Sequence, residues 1–310
     1  MPQSTRRATK IMDKVARAVP RPAEPDFGIT KNSHRAMRKL LRQPVTLVGV
    51  GIFVIVTLAC LFAFLIAPYD PTAIDMTSVL KPPSLEHLLG TDRTGRDVLS
   101  RILFGGQVSI AIGLGSAVGA AILGTTLGLL AGYRGGWLDS IVLRASELFM
   151  AFPQIIVVLL LVSIVGQSAL NLVIIFVATG WGSIYRMARS VTLSIREEEF
   201  VMAQRALGIR PLVICFKEIL PNAIGPIAVN ITLSTAMFIL QESSLSFLGL
   251  GVPMETPTWG NILNAANDLR VLRDAWWLWL PVGAVIAAFV LSINLIGDGL
   301  RDSTDPNLQG

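Results

Sequence analysis

The stretch REEEFVMAQRALGIRPLVICFKEILPN, residues 196–222, is a polar interruption between two long apolar runs of the chain. Three glutamates at positions 197–199 precede apolar residues with helical spacing, which are Phe200, Ala203 and Leu207. Acidic side chains favour a helix N-terminus, because the helix dipole carries partial positive charge there. The pattern therefore predicts a short amphipathic helix that begins near Glu199.

Glycine and proline residues delimit this helix and a second one. Gly208 follows the periodic segment and predicts its C-terminus, and Pro211 suits the first turn of the next helix. That second helix is predicted over residues 212–220, and it closes at Pro221 before another apolar run. A short helix between two membrane spans either fits a partner protein or lies among lipid headgroups. The local pattern leaves both alternatives open.

The composition of the chain is that of a membrane protein. Its 310 residues are 52% hydrophobic and 15% charged, with a mean hydropathy of +0.62. This composition is too apolar for a soluble domain of that length. The two cysteines, Cys60 and Cys215, cannot form a framework of disulfides and are predicted to act as small apolar side chains.

Charge-free runs predict an all-α polytopic membrane protein with six transmembrane helices. Each of four runs exceeds the roughly 20 residues that cross a bilayer core; these are residues 45–67, 107–133, 219–241 and 275–297. A fifth run, residues 148–185, would be about 57 Å long as a helix, against a bilayer core of about 30 Å. We therefore expect it to fold back near Gly166, Ser168 and Asn171 and to supply two spans.

Glycines recur along the second run at a spacing that is close to one helical turn. They are Gly115, Gly119, Gly124, Gly128 and Gly132. Because glycine has no side chain, such a row lets another helix approach the backbone closely. The sequence therefore predicts a packing seam along this helix.

The distribution of basic residues predicts the topology. Segments 1–44, 132–147, 186–222 and 298–310 hold 20 of the 26 Lys and Arg residues, and segments 68–106 and 251–274 hold six. Basic residues favour the cytoplasmic side, so the N-terminus, the C-terminus and residues 196–222 are predicted to be cytoplasmic. The basic, partly disordered tail at 1–44 is expected to contact membrane lipid and not nucleic acid.

These segments predict the organisation of the chain. The first transmembrane helix, residues 45–67, follows the tail, and an extracytoplasmic loop at 68–106 contains a short interfacial helix near residues 86–104. A transmembrane core follows at 107–298, which includes the loop at 196–222, and a cytoplasmic tail ends the chain at 299–310. Arg96 and Asp97 in the outer loop are expected to contact a partner protein.

Residues 196–222 resemble the cytoplasmic "EAA" loop of bacterial ABC-importer permeases. Ala203, Gly208 and the Leu220–Pro221 pair reproduce its spacing, whereas Met202 and Gln204 stand at the positions of the motif's glutamate and second alanine. The resemblance implies that this loop couples the permease to an ATPase. The residues implied in coupling are Glu199, Phe200, Ala203, Arg205, Leu207, Gly208, Leu220 and Pro221.

Further motifs resemble the "C" permeases of oligopeptide, dipeptide, nickel and glutathione importers, in the same order along the chain. They are HLLGTD at 87–92, GRDVLSR at 95–101, AGYRGGW at 131–137, AFP at 151–153, SLSFLGLG at 244–251 and GDGLRD at 297–302. The resemblance implies a type I ABC transmembrane domain that pairs with a homologous "B"-type permease. It also implies two cytoplasmic ATPase subunits, which bind ATP and Mg, and an extracytoplasmic solute-binding protein. This chain itself is expected to carry no cofactor.

Glu242 is the one acid between Glu218 and Glu255. A carboxylate at membrane depth faces a cavity or a partner. Two roles are open for Glu242, namely to line a substrate path or to hydrogen-bond a Ser or Asn of a neighbouring helix. His34 and His87 are far apart in the predicted topology, so a metal site is not expected.

Missing motifs exclude several function classes. The chain has no G-x-x-x-x-G-K-[ST] phosphate loop and no H-E-x-x-H zinc motif, so it is predicted to be neither an ATPase nor an intramembrane hydrolase. An ion-gradient-driven secondary transporter remains an alternative, although such proteins use buried titratable groups and often inverted repeats. A non-transporting scaffold or receptor is the third class. Peptides are the expected solute, with nickel chelates and glutathione as alternatives.

Overall fold

Long apolar helices make up the fold, and the computed structural model describes residues 43–304. Within that range there is no strand, and Thr91 and Asp97 form one isolated bridge. The helices are α1 Pro44–Leu61, α2 Ala63–Ile66, α3 Val98–Arg134, α4 Gly136–Ala151, α5 Gln154–Val165, α6 Ala169–Ile195, α7 Glu199–Ala206, α8 Pro211–Ile214, α9 Leu220–Phe247, α10 Trp259–Leu263, α11 Leu269–Asp274 and α12 Leu280–Thr304.

Five helical segments between residues 43 and 304 are long and apolar enough to cross a membrane. They contain α1, α3, α6, α8 with α9, and α12. Helices α4 and α5 are bent by 91° at a short break and make a sixth candidate span if the bent pair is counted as one. With that pair included, the count reaches the six spans that the charge-free runs predicted; without it, the count is five.

The predicted reversal near Gly166 is confirmed. Gly166 has φ +95° and ends α5, and α6 begins at Ala169. The side-chain amide of Asn171 donates hydrogen bonds to the carbonyl oxygens of Val165 and Gly166, at 3.3 and 3.0 Å. Glycine allows the positive φ, and Asn171 satisfies two carbonyl groups that the helix end leaves without partners.

The prediction that a helix closes at Pro221 is wrong. A π turn at Cys215–Ile219 joins α8 to α9, so the helical path is continuous from Pro211 to Phe247. The Leu220 N–H donates to the oxygen of Cys215, five residues back. Pro221 has no N–H to donate, and it stands just after the π turn, where the pattern of backbone hydrogen bonds has already shifted. The shifted ladder lets the helix pass through the proline.

The prediction of a separate interfacial helix near residues 86–104 is also wrong. Helix α3 begins at Val98, and Asp97 caps it by accepting a hydrogen bond from the Ser100 N–H at 2.8 Å. Val98 and Ile102, which suggested an apolar membrane-facing stripe, are buried in the core. Residues 67–97 form an irregular loop instead. The amphipathic pattern therefore marks the buried first turns of a long helix.

Trp259, whose side chain is fully buried, lies where the loop after α9 meets α3. The Trp259 ring packs edge-on against Phe289 of α12, with ring centroids 5.3 Å apart. Its indole N–H donates to the carbonyl oxygen of Ile102 at 3.0 Å. The buried indole group therefore has a partner, and the contact ties α3, α10 and α12 together at one end of the molecule.

The glycine row of α3 is the seam along which α6 packs. A Cβ at Gly124 would lie 2.6 Å from the Trp181 oxygen, and one at Gly128 would lie 2.7 Å from the Ala188 Cβ. A Cβ at Gly115 would meet nothing within 4 Å. The seam is confirmed over its later part, whereas Gly115 lies outside it.

Gly128→Val is expected to lower the abundance of folded protein in the membrane, because the added side chain would force α3 and α6 apart. Overpacking of this kind costs about 1–3 kcal/mol. Gly115→Val is the matched control, with the same substitution on the same helix in open space. Membrane abundance and thermal unfolding of the detergent-solubilised chain measure both variants. Equal losses in the two would contradict the packing role of Gly128.

Candidate functional site

Helix α7 occupies the position that the sequence predicted for a short helix. It runs from Glu199 to Ala206, and Gly208 follows with φ +76°. The N–H of Gly208 donates to the Arg205 oxygen, and the N–H of Ile209 donates to the Gln204 oxygen, both at 3.1 Å. This pair of bonds is a Schellman motif, which uses a left-handed glycine to stop a helix.

One face of α7 packs on its own chain. Val201 is buried and Phe200 is partly buried in a cluster of apolar side chains from α3, α8 and the π turn. We call this set the α7 anchor cluster; it contains Leu129, Tyr133, Val201, Ile214, Cys215 and Ile219. The sequence pattern groups Phe200 with Ala203 and Leu207 on one apolar side of the helix. In the structure Phe200 instead packs partly against its own chain, because the end of α3 lies beside it.

The other face of α7 is exposed. Ala203 is exposed, and Leu207 has 80% of its surface accessible. Exposed apolar side chains continue along the segment, and we call the set the α7–α8 apolar face: Met202, Ala203, Leu207, Leu212 and Phe216. A cluster of large apolar side chains outside the core marks an interaction surface. Glu199 is exposed as well, whereas Leu220 and Pro221 are partly buried.

Polar contacts fix the same region to the end of α3. The Arg205 guanidinium lies 5.8 Å from the centre of the Tyr133 ring, in a cation–π contact. Arg196 donates from Nη1 to the Gly132 oxygen at 2.9 Å and from Nε to the Glu197 carboxylate at 2.9 Å. The predicted coupling residue Arg205 thus contacts its own chain.

An ion pair between α4 and α6 lies nearby. Arg189 donates from Nε and Nη2 to the two carboxylate oxygens of Asp139, each at 2.5 Å. The Tyr185 hydroxyl lies 3.3 Å from Asp139 Oδ1. Arg189 was not among the site residues predicted from the sequence. Its signal was a basic residue near the end of an otherwise apolar helix, which needs a partner.

Asp97, at the end of the loop at 67–97, is a structural residue. It is 2% exposed, its Oδ1 lies 3.0 Å from His87 Nδ1, and its Oδ2 accepts hydrogen bonds from the N–H and hydroxyl of Ser100. A carboxylate that is enclosed in this way does not present itself to a partner. The prediction of a partner contact at Asp97 is therefore corrected, since the side chain caps α3.

Arg96 is partly buried and pairs with a second aspartate of the loop. Its Nε donates to Asp92 Oδ2 at 2.8 Å. Burial raises the pKa of Asp92, but hydrogen bonds from Thr94 and the charge of Arg96 outweigh it and hold that pKa below the usual range. The loop around Asp92 is thus stabilised by a charged carboxylate.

Glu242 is fully buried between α3, α9 and the loop that leads to α10. Its Oε2 accepts a hydrogen bond from the Ser109 hydroxyl at 3.0 Å, and its Oε1 accepts one from Ser246 at 2.8 Å. The Ser109 oxygen in turn accepts from the Trp259 N–H at 3.1 Å. Two roles were left open for Glu242. The geometry fits the second of them, a hydrogen bond to a serine of a neighbouring helix, which here is Ser109 of α3.

Metal ligation has no support in the described part of the chain. Between residues 43 and 304, no group of three or more His, Cys, Asp or Glu side chains could hold a metal ion. His87 is engaged with Asp97, and its ring packs 4.7 Å from that of Tyr69. His34 and the basic tail lie outside the described residues.

Comparison with known proteins identifies the family. The family model described as "Binding-protein-dependent transport system inner membrane component" matches residues 124–310. This match covers more than half of the chain. The chain belongs to that family of transport permeases. A second model, the "N-terminal TM domain of oligopeptide transport permease C", matches residues 32–83.

Individual relatives of the permease cover nearly its whole length. The dipeptide transport system permease protein DppC of Alkalihalophilus pseudofirmus is 37% identical over 288 residues, which is 93% of this chain and 94% of the relative. The oligopeptide transport system permease protein OppC of Bacillus subtilis is 35% identical over 275 residues, 88% of this chain and 89% of the relative. A putative peptide permease protein of Brucella suis biovar 1 is 38% identical over 275 residues, 89% and 91% of the two chains.

Family membership confirms several predictions. The permease is a non-catalytic inner-membrane subunit of an ABC importer, with the type I transmembrane domain that its motifs implied. A stand-alone secondary transporter and a non-transporting scaffold are thereby set aside. The α7–α8 segment falls inside the matched range, so its exposed apolar face belongs to the transport domain.

Proposed function

We propose that this permease forms one half of the translocation pathway of a peptide importer, in a heterodimer with a homologous "B"-type permease. Two cytoplasmic ATPase subunits bind ATP and Mg, and an extracytoplasmic solute-binding protein delivers the peptide. The proposal of peptides as solute is supported by relatives whose names specify dipeptide and oligopeptide transport. Nickel chelates and glutathione are the competing solutes.

The observation that carries the coupling role is the two-sided nature of α7. Val201 locks one side of the helix into the chain's own core, and Ala203 and Leu207 leave the other side apolar and exposed. A helix with these two sides can transmit a displacement. A partner that binds the exposed side and moves will also move the helices against which the other side is tightly packed. We propose that this outer face docks in a groove of an ATPase subunit.

The proposed orientation puts α7 and both chain termini in the cytoplasm, as the bias of basic residues favours. The loop at 67–97 and the segment from Phe247 to Leu280 then lie outside, where the binding protein docks. Of the two residues predicted to contact a partner, Arg96 remains the proposed contact in the loop at 67–97, and its exposed neighbour Arg93 is added to it. Arg93 is half exposed and pairs with Asp268 of the second outer segment at 2.8 Å.

In the proposed mechanism, ATP binding draws the two ATPase subunits together, and each subunit carries its docked helix α7 along. Because α7 is joined through the anchor cluster to α3 and to the π turn that leads into α9, the displacement changes the arrangement of the spanning helices. The pathway at the heterodimer interface then alternates between inward-open and outward-open states. This chain contributes contacts and geometry, and the partner ATPases supply the chemical step.

The proposed function is tested by reconstitution in vesicles. We expect the complete assembly, with the second permease, two ATPases and binding protein, to take up labelled di- and oligopeptides only when ATP is supplied to the ATPase side. This chain alone should be inactive, because it lines one side of the pathway. Uptake by the purified chain without partners, or uptake driven by an ion gradient without ATP, would contradict the proposal. Preferential uptake of nickel chelates or glutathione would overturn the assignment of peptides.

A further inference from the structure

The turn between α3 and α4 is held by basic residues from the neighbouring elements. This turn, residues 131–139, is called here the α3–α4 corner. Arginines from the second half of α6, from the residue after α6 and from α7 all reach it. The three pairs are Arg189 with Asp139, Arg196 with Gly132 and Arg205 with Tyr133. The segment that leads into α7 and α7 itself therefore contact one corner.

The pair at Asp139 is the strongest of these contacts. Both carboxylate oxygens accept from the guanidinium of Arg189, at 2.5 Å each, and the Tyr185 hydroxyl lies 3.3 Å from one of them. Both charged side chains are largely shielded from solvent. A bidentate arginine–carboxylate pair fixes orientation as well as distance, so α4 begins at a defined place beside α6.

The other two contacts join the corner to α7 and its N-terminal approach. Arg196 donates to the Gly132 oxygen at 2.9 Å, and Arg205 of α7 lies over the ring of Tyr133. Tyr133 also belongs to the α7 anchor cluster, together with Val201 of α7. Apolar packing, a hydrogen bond and a cation–π contact thus connect the same two elements.

The corner is positioned to act on α4 and α5. Its turn is made by Gly135 and Gly136, which both have positive φ, at +64° and +65°. A Cβ at Gly136 would meet nothing within 4 Å. Because the two glycines have no side chains of their own, the direction of α4 depends on the contacts of the residues around them. Helix α4 leads to the 91° bend and α5, so a displaced corner would move both helices.

We propose that the α3–α4 corner is a second part of the coupling apparatus and moves with α7 as one body, with Asp139 and Arg189 as positioning residues. The inference rests on the proposed function, in which α7 receives the displacement from an ATPase. It adds a second route for the displacement, which passes through contacts between helices and not along the backbone from one helix to the next. The displacement of α7 reaches α4 and α5 through the corner. This route is additional to those along the chain, which lead to α6 on one side and through α8 to α9 on the other.

The test replaces the ion pair with a covalent link in the assembled importer. Asp139→Cys and Arg189→Cys are combined in a chain whose native cysteines carry Cys60→Ala and Cys215→Ala, and a short bifunctional thiosulfonate then joins the new pair. Before joining, ATP-driven peptide uptake per folded molecule should fall roughly tenfold or more, because the bidentate contact that fixes α4 beside α6 is gone. After joining, uptake should return to at least about half of that of the cysteine-free parent, because a bidentate pair holds the same two helices together.

Two outcomes would overturn the proposal. If α6 slides past the corner during transport, the covalent link will block uptake. If the pair has no coupling role, the variant will keep normal uptake before joining. Should the double-cysteine variant not accumulate, Asp139→Asn is the second variant, since it is close in volume to aspartate. We expect it to keep membrane abundance and basal ATPase activity but to lose uptake per molecule, whereas a merely structural pair would lower abundance and leave uptake per molecule unchanged.

The wild-type protein distinguishes this inference from the proposed function. A wild-type chain without ATP-driven peptide uptake in the same vesicles would mean that the proposed function fails. A fully active wild-type chain whose Asp139→Asn variant is equally active per molecule would mean that the corner has no part in coupling while the transport role stands.

Discussion

Ala203→Asp is expected to abolish ATP-driven uptake while the chain reaches the membrane at wild-type abundance. Ala203 is exposed in its own chain, so a carboxylate there stays in water and leaves the fold intact. In a partner's apolar groove the same carboxylate would be buried without a counter-ion, at a cost of about 3 kcal/mol or more. A penalty of that size weakens docking by roughly 100-fold, since each 1.4 kcal/mol is tenfold in affinity.

The matched control is Ser194→Asp, which adds the same charge at an exposed position in the last turn of α6. It should leave uptake close to that of the wild type. Membrane abundance, peptide uptake and ATPase stimulation by loaded binding protein are measured for both variants. The alternative in which α7 lies among lipid headgroups forecasts little change in either variant, because an exposed charge at an interface is tolerated. Normal uptake by Ala203→Asp at normal abundance would end the assignment of α7 as the coupling helix.

Features that depend on local chemistry could be predicted from the sequence. A charge-free run fixes the existence of a span by length alone, and the run at 148–185 had to reverse because it is too long for one crossing. Gly166 and Gly208 mark chain reversals and helix ends because few other residues adopt a positive φ. These signals need no knowledge of which elements meet in the folded chain.

Features that depend on distant contacts could not be predicted. Val98 and Ile102 have the same amphipathic pattern whether they face lipid or the core, and the distant side chains that pack around them, Trp259 among them, decide between the two. The π turn before Pro221 reflects a hydrogen-bond shift that no local motif announces.

The polar partners have the same limitation. The pairing of Asp139 with Arg189 joins two helices that are separated by α5 and the reversal at Gly166. The sequence could state that a basic residue near the end of α6 needs a partner but not which one. Glu242 was easier, since a buried carboxylate needs a hydrogen-bond donor and serines are common on the neighbouring helices. Even there, the choice of Ser109 required the structure.

Gly208→Val is expected to uncouple transport through the backbone, and Gly208→Asn is expected to leave it largely intact. A Cβ at this position would meet nothing within 4 Å, so the constraint inside this chain is the φ of +76°. A non-glycine residue in this region costs about 1–2 kcal/mol, and asparagine tolerates it best while β-branched valine tolerates it worst. The valine variant would lose the two hydrogen bonds that stop α7, and the docked helix would no longer end at a fixed place.

Uptake by the valine variant should therefore fall roughly 5- to 30-fold, the factor by which 1–2 kcal/mol changes the ratio of two populations. Membrane abundance should remain normal, because Gly208 lies at an exposed end of the segment. Uptake and stimulated ATPase activity of the two variants, each normalised to abundance, separate the possible causes. Equal impairment by asparagine and valine would contradict the backbone argument, since it would mean that the partner's surface approaches Gly208 so closely that no side chain fits.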